Sequence, residues 1–292
     1  MEPDGVLVRF GEIGIKSPYV RRSMLQRLRR NILEAMAAHG VEGDVASIGS
    51  RLWLEGPDPD RLLGVATRTF GVVSASLAVR VPATQQELVQ AAVGLGIQGA
   101  WRTFAVRATR EGEHPFTSME LAKAAGSAIV LAREAQGLPC KVDLTQPEME
   151  VHLDVRAKEG YAFAGAVAGP GGLPVGSQGV VVARVEDPRD ALAAWLLMRR
   201  GCAARLASSR PDAEGHPARA LRAWGWTSDL HAWGDPAAML AQARASALVT
   251  GDGLQAAVLA SDGPTVVLRP LAGLDPAFAA DLARRHGLGE LA

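Results

Sequence analysis

Cysteine is scarce in this sequence. Two occur in 292 residues, Cys140 and Cys202, with no CxxC pair and no histidine cluster beside either. A disulfide framework and a thiolate zinc site are therefore not expected, and the usage fits a reducing compartment. Long apolar runs are lacking too. At 48% hydrophobic residues the chain can build real cores, yet no run approaches the roughly 20 residues that span a bilayer. The stretch from Met1 to Arg9 carries Glu2 and Asp4, which does not suit a secretory signal. A cytoplasmic protein with no membrane partner and no bound metal is the expectation. Charge of one sign is not in excess either, with 31 basic and 31 acidic residues. Any polyanion has to be held by local patches.

The length favours two or three domains. In the first segment, Val6 to Phe10 reads as a strand, Ser17-Pro18 as a helix start, and Gly40 as its stop. Between them Val20, Met24, Leu25, Leu28, Ile32 and Met36 keep a 3.6-residue period. Val45 to Leu54 returns as a strand and Leu62 to Thr69 as a helix. A second segment follows with strands at Val72–Val81, Phe104–Arg107, Val151–Val155 and Tyr161–Val167, and helices near Gln85–Leu95 and from Thr117 or Ser118 onward. The run Gly169-Pro170-Gly171-Gly172-Leu173-Pro174-Val175-Gly176 interrupts regular structure and marks a linker. Beyond it, Val180–Val182, Ala203–Ala207 and Leu248–Val249 alternate with alanine-rich helices, among them Ala191 to Arg200. That pattern predicts an open parallel sheet wound with helices. The expected fold class is α/β, with α+β domains at the N-terminal side. The boundaries fall at 1–61, 62–168 and 176–292.

Residues 1–30 hold seven Lys/Arg against three acids, a local excess in a neutral chain. Arg22, Gln26, Arg29 and Arg30 share a ridge away from the apolar side of the first helix, with Arg21 beside it and Lys16 at its entry. A solvated helix face and a phosphate-contacting patch both fit. In the second segment Arg107 and Arg110 precede His114-Pro115-Phe116-Thr117-Ser118, and Lys123 follows on the helix. Arginine, an aromatic ring and hydroxyls ahead of a helix N-terminus suit a single-stranded RNA end. Amides and dipole would attract phosphate, and Phe116 or His114 would stack on a base. Phe116 fits equally well as a staple packing the helix start.

These strings carry a family resemblance. Val8-Arg9-Phe10-Gly11-Glu12-Ile13-Gly14-Ile15-Lys16-Ser17 with Val20-Arg21-Arg22 is similar to the opening of the tRNA 4-thiouridine synthetase family. Thr103–Arg107, Arg110, His114, Phe116 and Ser118 resemble the THUMP signature of those enzymes. The hinge Gly171 to Gln178, Leu197-Met198-Arg199-Arg200-Gly201, Leu248 to Asp252 and Leu268 to Leu271 follow in the same order. The resemblance implies a ferredoxin-like domain, a THUMP domain and a shortened Rossmann-like domain of the PP-loop type. It also implies that the first two hold the acceptor stem and 3′ end of tRNA, while the third adenylates uridine before sulfur transfer.

Against the family's Ser-Gly-Gly-x-Asp-Ser loop, this chain has Val185-Glu186-Asp187-Pro188-Arg189-Asp190. Carboxylates stand where phosphates would lie, Pro188 offers no amide, and no glycine permits close approach. The expectation is a degenerate nucleotide site, with no cofactor and no catalytic residue. Neither cysteine has a setting that clearly favours a thiolate. The function implied is tRNA binding without catalysis, with a PP-loop or sulfur-transfer enzyme acting in trans. The rivals are an active sulfurtransferase with an altered nucleotide site and a scaffold that forms a homodimer. Trp224, Trp226 and Trp233 are candidate core or interface rings, and their density is the sequence argument for a docking surface.

Overall fold

A computed structural model of the chain describes residues 2–225, 229–253 and 265–291. Its elements run β1 (Gly5–Phe10), α1 (Pro18–Ala38), β2 (Asp44–Ile48), β3 (Arg51–Glu55), α2 (Pro59–Ala66), β4 (Val72–Pro82) and α3 (Gln85–Gly96). Next come β5 (Thr103–Glu111), α4 (Ser118–Ala135), β6 (Lys141–Val142), β7 (Met149–Arg156), β8 (Glu159–Ala164) and β9 (Val167–Ala168). After the glycine-rich linker follow β10 (Val180–Arg184), α5 (Pro188–Arg199), β11 (Ala203–Ser208), β12 (His231–Ala232), α6 (Pro236–Ala243), β13 (Leu248–Val249), β14 (Val267–Leu268) and α7 (Pro276–Arg285). Two 3₁₀ segments, Glu12–Ile15 and Pro217–Trp224, complete the set.

The chain divides into two compact units. The first comprises Met1–Phe10, His39–Thr67 and Val73–Gly169. Its sheet runs β2-β3-β1-β4-β8-β7-β5-β6, with β9 on β4. Where the sequence reads as one strand from Val45 to Leu54, the chain folds as a hairpin, Ile48 pairing with Arg51 across Gly49-Ser50. Gly49 has φ +60°, the left-handed conformation that a tight two-residue connection takes. Helices α3 and α4 cover β5, β7 and β8, burying Leu88, Phe104, Leu121, Ile129, Val151, Leu153 and Ala162. On the reverse side of β8, Tyr161 and Phe163 gather with Leu7, Trp53 and Ala78. The rings of Trp53 on β3 and Tyr161 on β8 lie 5.0 Å apart although β1 and β4 run between their strands. The sheet is therefore strongly curled, as strand twist allows.

Two charged devices brace this unit. Arg133 on α4 is fully buried and donates to the carbonyls of Gly96, Gly99 and Trp101 while its guanidinium lies 3.7 Å from the Trp101 ring centroid. Asp154, also buried, accepts from Arg51 at 3.2 Å and Arg156 at 2.9 Å. Burial pushes the Asp154 carboxyl up against the opposing pull of Arg51 and Arg9. Arg9 is held down at about 10, by burial first and by Arg51 second.

The second unit comprises Gly11–Ala38, Arg68–Val72 and Pro170–Ala292. Its sheet is parallel throughout, in the order β12-β11-β10-β13-β14. The short edge strands β12 and β14 have no clear sequence signal at two residues each; pairing defines them. Asp187 caps α5 through its side chain on the Asp190 amide, and Pro188 sits at the first helical position, where no amide bond is lost. The core holds Phe70, Leu192, Trp195, Met198, Leu206, Leu221, Trp224 and Leu271. Trp224 is part of that core and not a docking ring: it stands 5.4 Å from Trp195 and 5.8 Å from Phe70, and its Nε1–H donates to the His286 carbonyl at 3.0 Å. Trp233 is half-buried beneath the Arg184 guanidinium at 5.3 Å, and Trp226 lies outside the described residues. Among the described residues no helix is long and apolar enough to cross a membrane.

Candidate nucleic-acid interface and the strand-end crevice

Helix α1 buries Met24, Leu28, Ile32, Ala35 and Met36. The 3.6-residue period then turns Arg22, Gln26, Arg29 and Arg30 to solvent, all four exposed. Arg21 and Lys16 are half-buried. Two apolar side chains stand among these cations, Ile15 and Tyr19, each 84% exposed. Tyr19 was not singled out in the sequence; its signal is an aromatic next to Val20-Arg21-Arg22.

The α1 cations belong to the second unit and the loop residues to the first. There, Arg107 pairs with Glu150 at 3.1 Å and donates to the Leu144 carbonyl at 2.7 Å, so its charge is partly neutralised. Arg110 and Lys123 are exposed. Phe116 is 5% exposed and belongs to the α3–α4 core. This corrects the expectation that its face meets a base: the ring packs the helix start. His114, half-buried, stacks on it at 5.7 Å and is the ring left at the surface. The helix start is also less open to an anion than expected. Thr117 and Glu120 form a reciprocal capping box, in which the Glu120 carboxylate accepts from the Thr117 amide at 2.7 Å and from its hydroxyl. Those bonds hold the Glu120 carboxyl below its usual range. Ser118 stands half-buried at the first helical position.

In the second unit, strand order reverses between β10 and β13, and ligands of open α/β sheets bind beyond the strand ends at such a switch point. Here that crevice holds the chain's own carboxylates. Asp190 accepts from the Gly251 amide at 2.6 Å with Oδ1 and from the Glu186 amide at 2.9 Å with Oδ2. Glu186 accepts from the Ser209 amide at 2.8 Å, both serine hydroxyls of Ser208 and Ser209, and Arg184. Burial raises its pKa, but the bonds from Ser209, Ser208 and Arg184 outweigh that and hold it at about 2. Burial raises Asp190, with Asp187 and Asp252 adding repulsion. Gly251 packs so closely on the start of α5 that a Cβ there would fall 2.6 Å from the Arg189 carbonyl carbon. Ser208 receives a hydrogen bond from His216 Nε2 at 2.9 Å, because His216 Nδ1 accepts from the Ala218 amide and must be unprotonated. Ser208, Ser209 and His216 carry no motif in the sequence; only the parallel pairing of β11 beside β10 brings them to Glu186.

The cysteines stand apart from this crevice in chemistry. Burial pushes both thiols up, Cys140 and Cys202 alike, so neither is poised as a thiolate. Among the described residues no group of three or more His, Cys, Asp or Glu is placed to hold a metal ion.

Two segments of the chain match known domain families. Residues 5–76 match the ThiI ferredoxin-like domain and residues 85–161 the THUMP domain. A probable tRNA sulfurtransferase of Halobacterium salinarum is 38% identical over 201 residues, 68% of this chain and 51% of that protein. One of Aeropyrum pernix is 38% identical over 213 residues, covering 71% and 52%. The chain thus spans about half the length of the curated relatives it matches. The crystal structure of PH1313 from Pyrococcus horikoshii superposes with a TM-score of 0.83 at 25% identity, covering 97% of this chain and 99% of that one. A 4-thiouridine synthetase solved with RNA and bound ATP shares the fold, with a TM-score of 0.77 at 20% identity over 98% of this chain and 86% of that one. With two ThiI-type domains in order and these homologues, the chain belongs to the ThiI-like family of the tRNA sulfurtransferases.

Proposed function

We propose that this protein binds tRNA by its acceptor stem and single-stranded 3′ end, does not itself activate ATP, and presents the RNA to a modifying enzyme. The observation that carries the reading is an inherited tRNA sulfurtransferase architecture whose switch-point crevice is filled by Asp190 and Glu186. A triphosphate would have to displace two carboxylates that already hold the Gly251, Glu186 and Ser209 amides. It would also meet the same negative charge it carries. The exposed cations Arg22, Arg29 and Arg30, with Arg110, Lys123 and the surface ring of His114, support the RNA half. In this reading the chain needs no cofactor, and a PP-loop enzyme with a reactive cysteine supplies adenylation and sulfur in trans. Core placement of Trp224 removes one of the three rings from the docking argument; Trp233 is half-buried and Trp226 lies outside the described residues.

Two titrations of the full chain test it. Calorimetry with Mg-ATP should give no dissociation constant below about 100 μM, near −5.5 kcal/mol. Transfer RNA should bind with a salt-dependent affinity, each phosphate contact adding roughly 0.7–0.9 to the slope of log affinity against log salt. Replacing Arg22 and Arg30 together by alanine should lower that slope by about 1.5. An unchanged slope makes α1 an ordinary solvated face, and stoichiometric ATP binding returns the chain to the active enzymes.

A further inference from the structure

The sheet of the first unit ends at β6, which pairs with β5 on one side and, among the described residues, with no strand on the other. From Leu138 to Leu144 the chain alternates Leu138, Cys140, Val142 and Leu144 with Pro139, Lys141 and Asp143, the period of a strand with one apolar side. Cys140 packs on the α3–α4 core. Leu138, Val142 and Leu144 are instead 44%, 58% and 61% exposed. Three large apolar side chains along an open edge make a template for another strand, and proteins normally blunt such edges.

The backbone fixes what this edge offers. The amide of Lys141 donates to the Arg102 carbonyl and that of Asp143 to the Phe104 carbonyl, both at 2.9 Å. Main-chain groups of a strand alternate sides, so the amide and carbonyl of Val142 point outward. The charges flanking Val142 are opposite. Lys141 is exposed and forms no ion pair among the described residues. Asp143 uses Oδ1 on the Thr145 and Gln146 amides, at 2.8 and 3.0 Å, which leaves Oδ2 as an acceptor. An antiparallel copy of the strand centred on Val142 sets Lys141 opposite Asp143 twice, and Val142 opposite itself with both main-chain bonds exchanged. In-register parallel pairing, or an antiparallel slip of two residues, sets like charges against each other. The lysine that blunts the edge against other strands therefore admits its own sequence in one register.

We propose that two copies of this chain associate through β6, as an antiparallel ribbon about a twofold axis at Val142. Main-chain bonds supply affinity, Val142 and Leu144 the apolar burial, and the Lys141–Asp143 pairs the register. The ribbon is short, so the contact belongs with the weak, reversible interfaces. A foreign strand would meet the same main-chain groups, but the charge pattern selects a partner that carries lysine and aspartate in this order, and the chain itself does. The inference is independent of the tRNA reading, because it uses none of the residues assigned to RNA and is measured without RNA.

Light scattering and sedimentation of the full chain over a range of concentrations test it. A reversible monomer–dimer equilibrium with a dissociation constant of about 10–100 μM is expected. Lys141→Glu opposes two carboxylates on both sides of the axis and should weaken the dimer about tenfold or more. Asp143→Lys should do the same with two ammonium groups. Mixing these two variants restores opposite charges at both positions, so the mixture should form a heterodimer with about the parent affinity where each variant alone is largely monomeric. A folding defect is not repaired by mixing. Val142→Glu opposes two carboxylates at the axis and leaves the Asp143 turn intact, so it should also give a monomer. Lys141 and Val142 are exposed, and an unchanged melting temperature of their variants at low concentration verifies the fold. A parent chain that stays monomeric throughout that range overturns the proposal. So does a dimer indifferent to Lys141→Glu and Val142→Glu, or a mixture of folded Lys141→Glu and Asp143→Lys chains that forms no heterodimer.

Discussion

The Asp190 carboxylate accepts from the Gly251 amide at 2.6 Å and, through its other oxygen, from the Glu186 amide at 2.9 Å. One side chain thereby ties the loop after β10 to the loop after β13, across the point where strand order reverses. Removing it should leave the amides of the buried Gly251 and the half-buried Glu186 without that partner. Asp190→Ala is therefore expected to cost about 1–3 kcal/mol of stability, read from urea unfolding. A loss well below that range would mean that water serves both amides and that the crevice is open.

Three histidines set the response to mild acid. Burial is the largest influence on His152, His216 and His286, and it lowers the pKa of each. An unfolded imidazole takes its proton near 6.5, while each folded one takes it lower. Between those values the unfolded chain binds more protons, so stability falls as pH drops. The contribution is complete above about pH 6.5 and is lost progressively below it. Melting at pH 7.5 and pH 5.5 should show this loss, and His216→Asn should reduce the difference. A parent protein equally stable at both values would contradict the buried, neutral state of these rings.

Periodicity and turn chemistry in the sequence carry most of the fold. The apolar stripe of α1, the Thr117–Glu120 cap, the glycine-rich linker and the three valines of β10 each declare their element locally. What stayed hidden depends on contacts between distant positions. The fate of Phe116 hinges on whether α3 and α4 close over it, and Trp224 on whether Phe70, Trp195 and His286 surround it. The acidic loop is visible in the string Glu186 to Asp190, yet its partners are not. Ser209 comes from the neighbouring strand's end and Gly251 from a strand more than fifty residues on. Only the strand order brings them together.

Arg133 illustrates a buried cation held without a carboxylate. It donates to three carbonyls around the end of α3 and lies on the Trp101 ring. Arg133→Met keeps volume but leaves those carbonyls unserved. A loss of about 1–3 kcal/mol is expected in chemical denaturation, the scale of buried acceptors left without a donor. A near-neutral substitution would assign the segment from Gly96 to Trp101 little share in holding the unit.

Trp224→Ala tests the core of the second unit. Deleting a ring that touches Phe70, Trp195 and His286 should cost about 3–5 kcal/mol in the isolated protein. A surface docking ring would cost far less.

The last prediction separates the two rings ahead of α4. Phe116 is buried in the α3–α4 core, whereas His114 stacks on it and keeps one side toward the surface. If an RNA 3′ end reaches this loop, the base meets His114. Stacking of a base on a protein ring contributes about 1–3 kcal/mol, so His114→Ala should weaken an RNA with a single-stranded 3′ overhang by roughly tenfold, near 1.4 kcal/mol. A blunt duplex of the same stem should bind the variant and the parent alike, because phosphate contacts alone hold it. Phe116→Leu should behave in the opposite way, lowering the melting temperature while leaving the preference for the overhang in place. Fluorescence anisotropy with the two RNAs, run at one fixed salt concentration because phosphate contacts shift with salt, gives both ratios. Equal loss on the overhang and the blunt duplex in His114→Ala would mean that the loop contacts the stem and reads no single-stranded base.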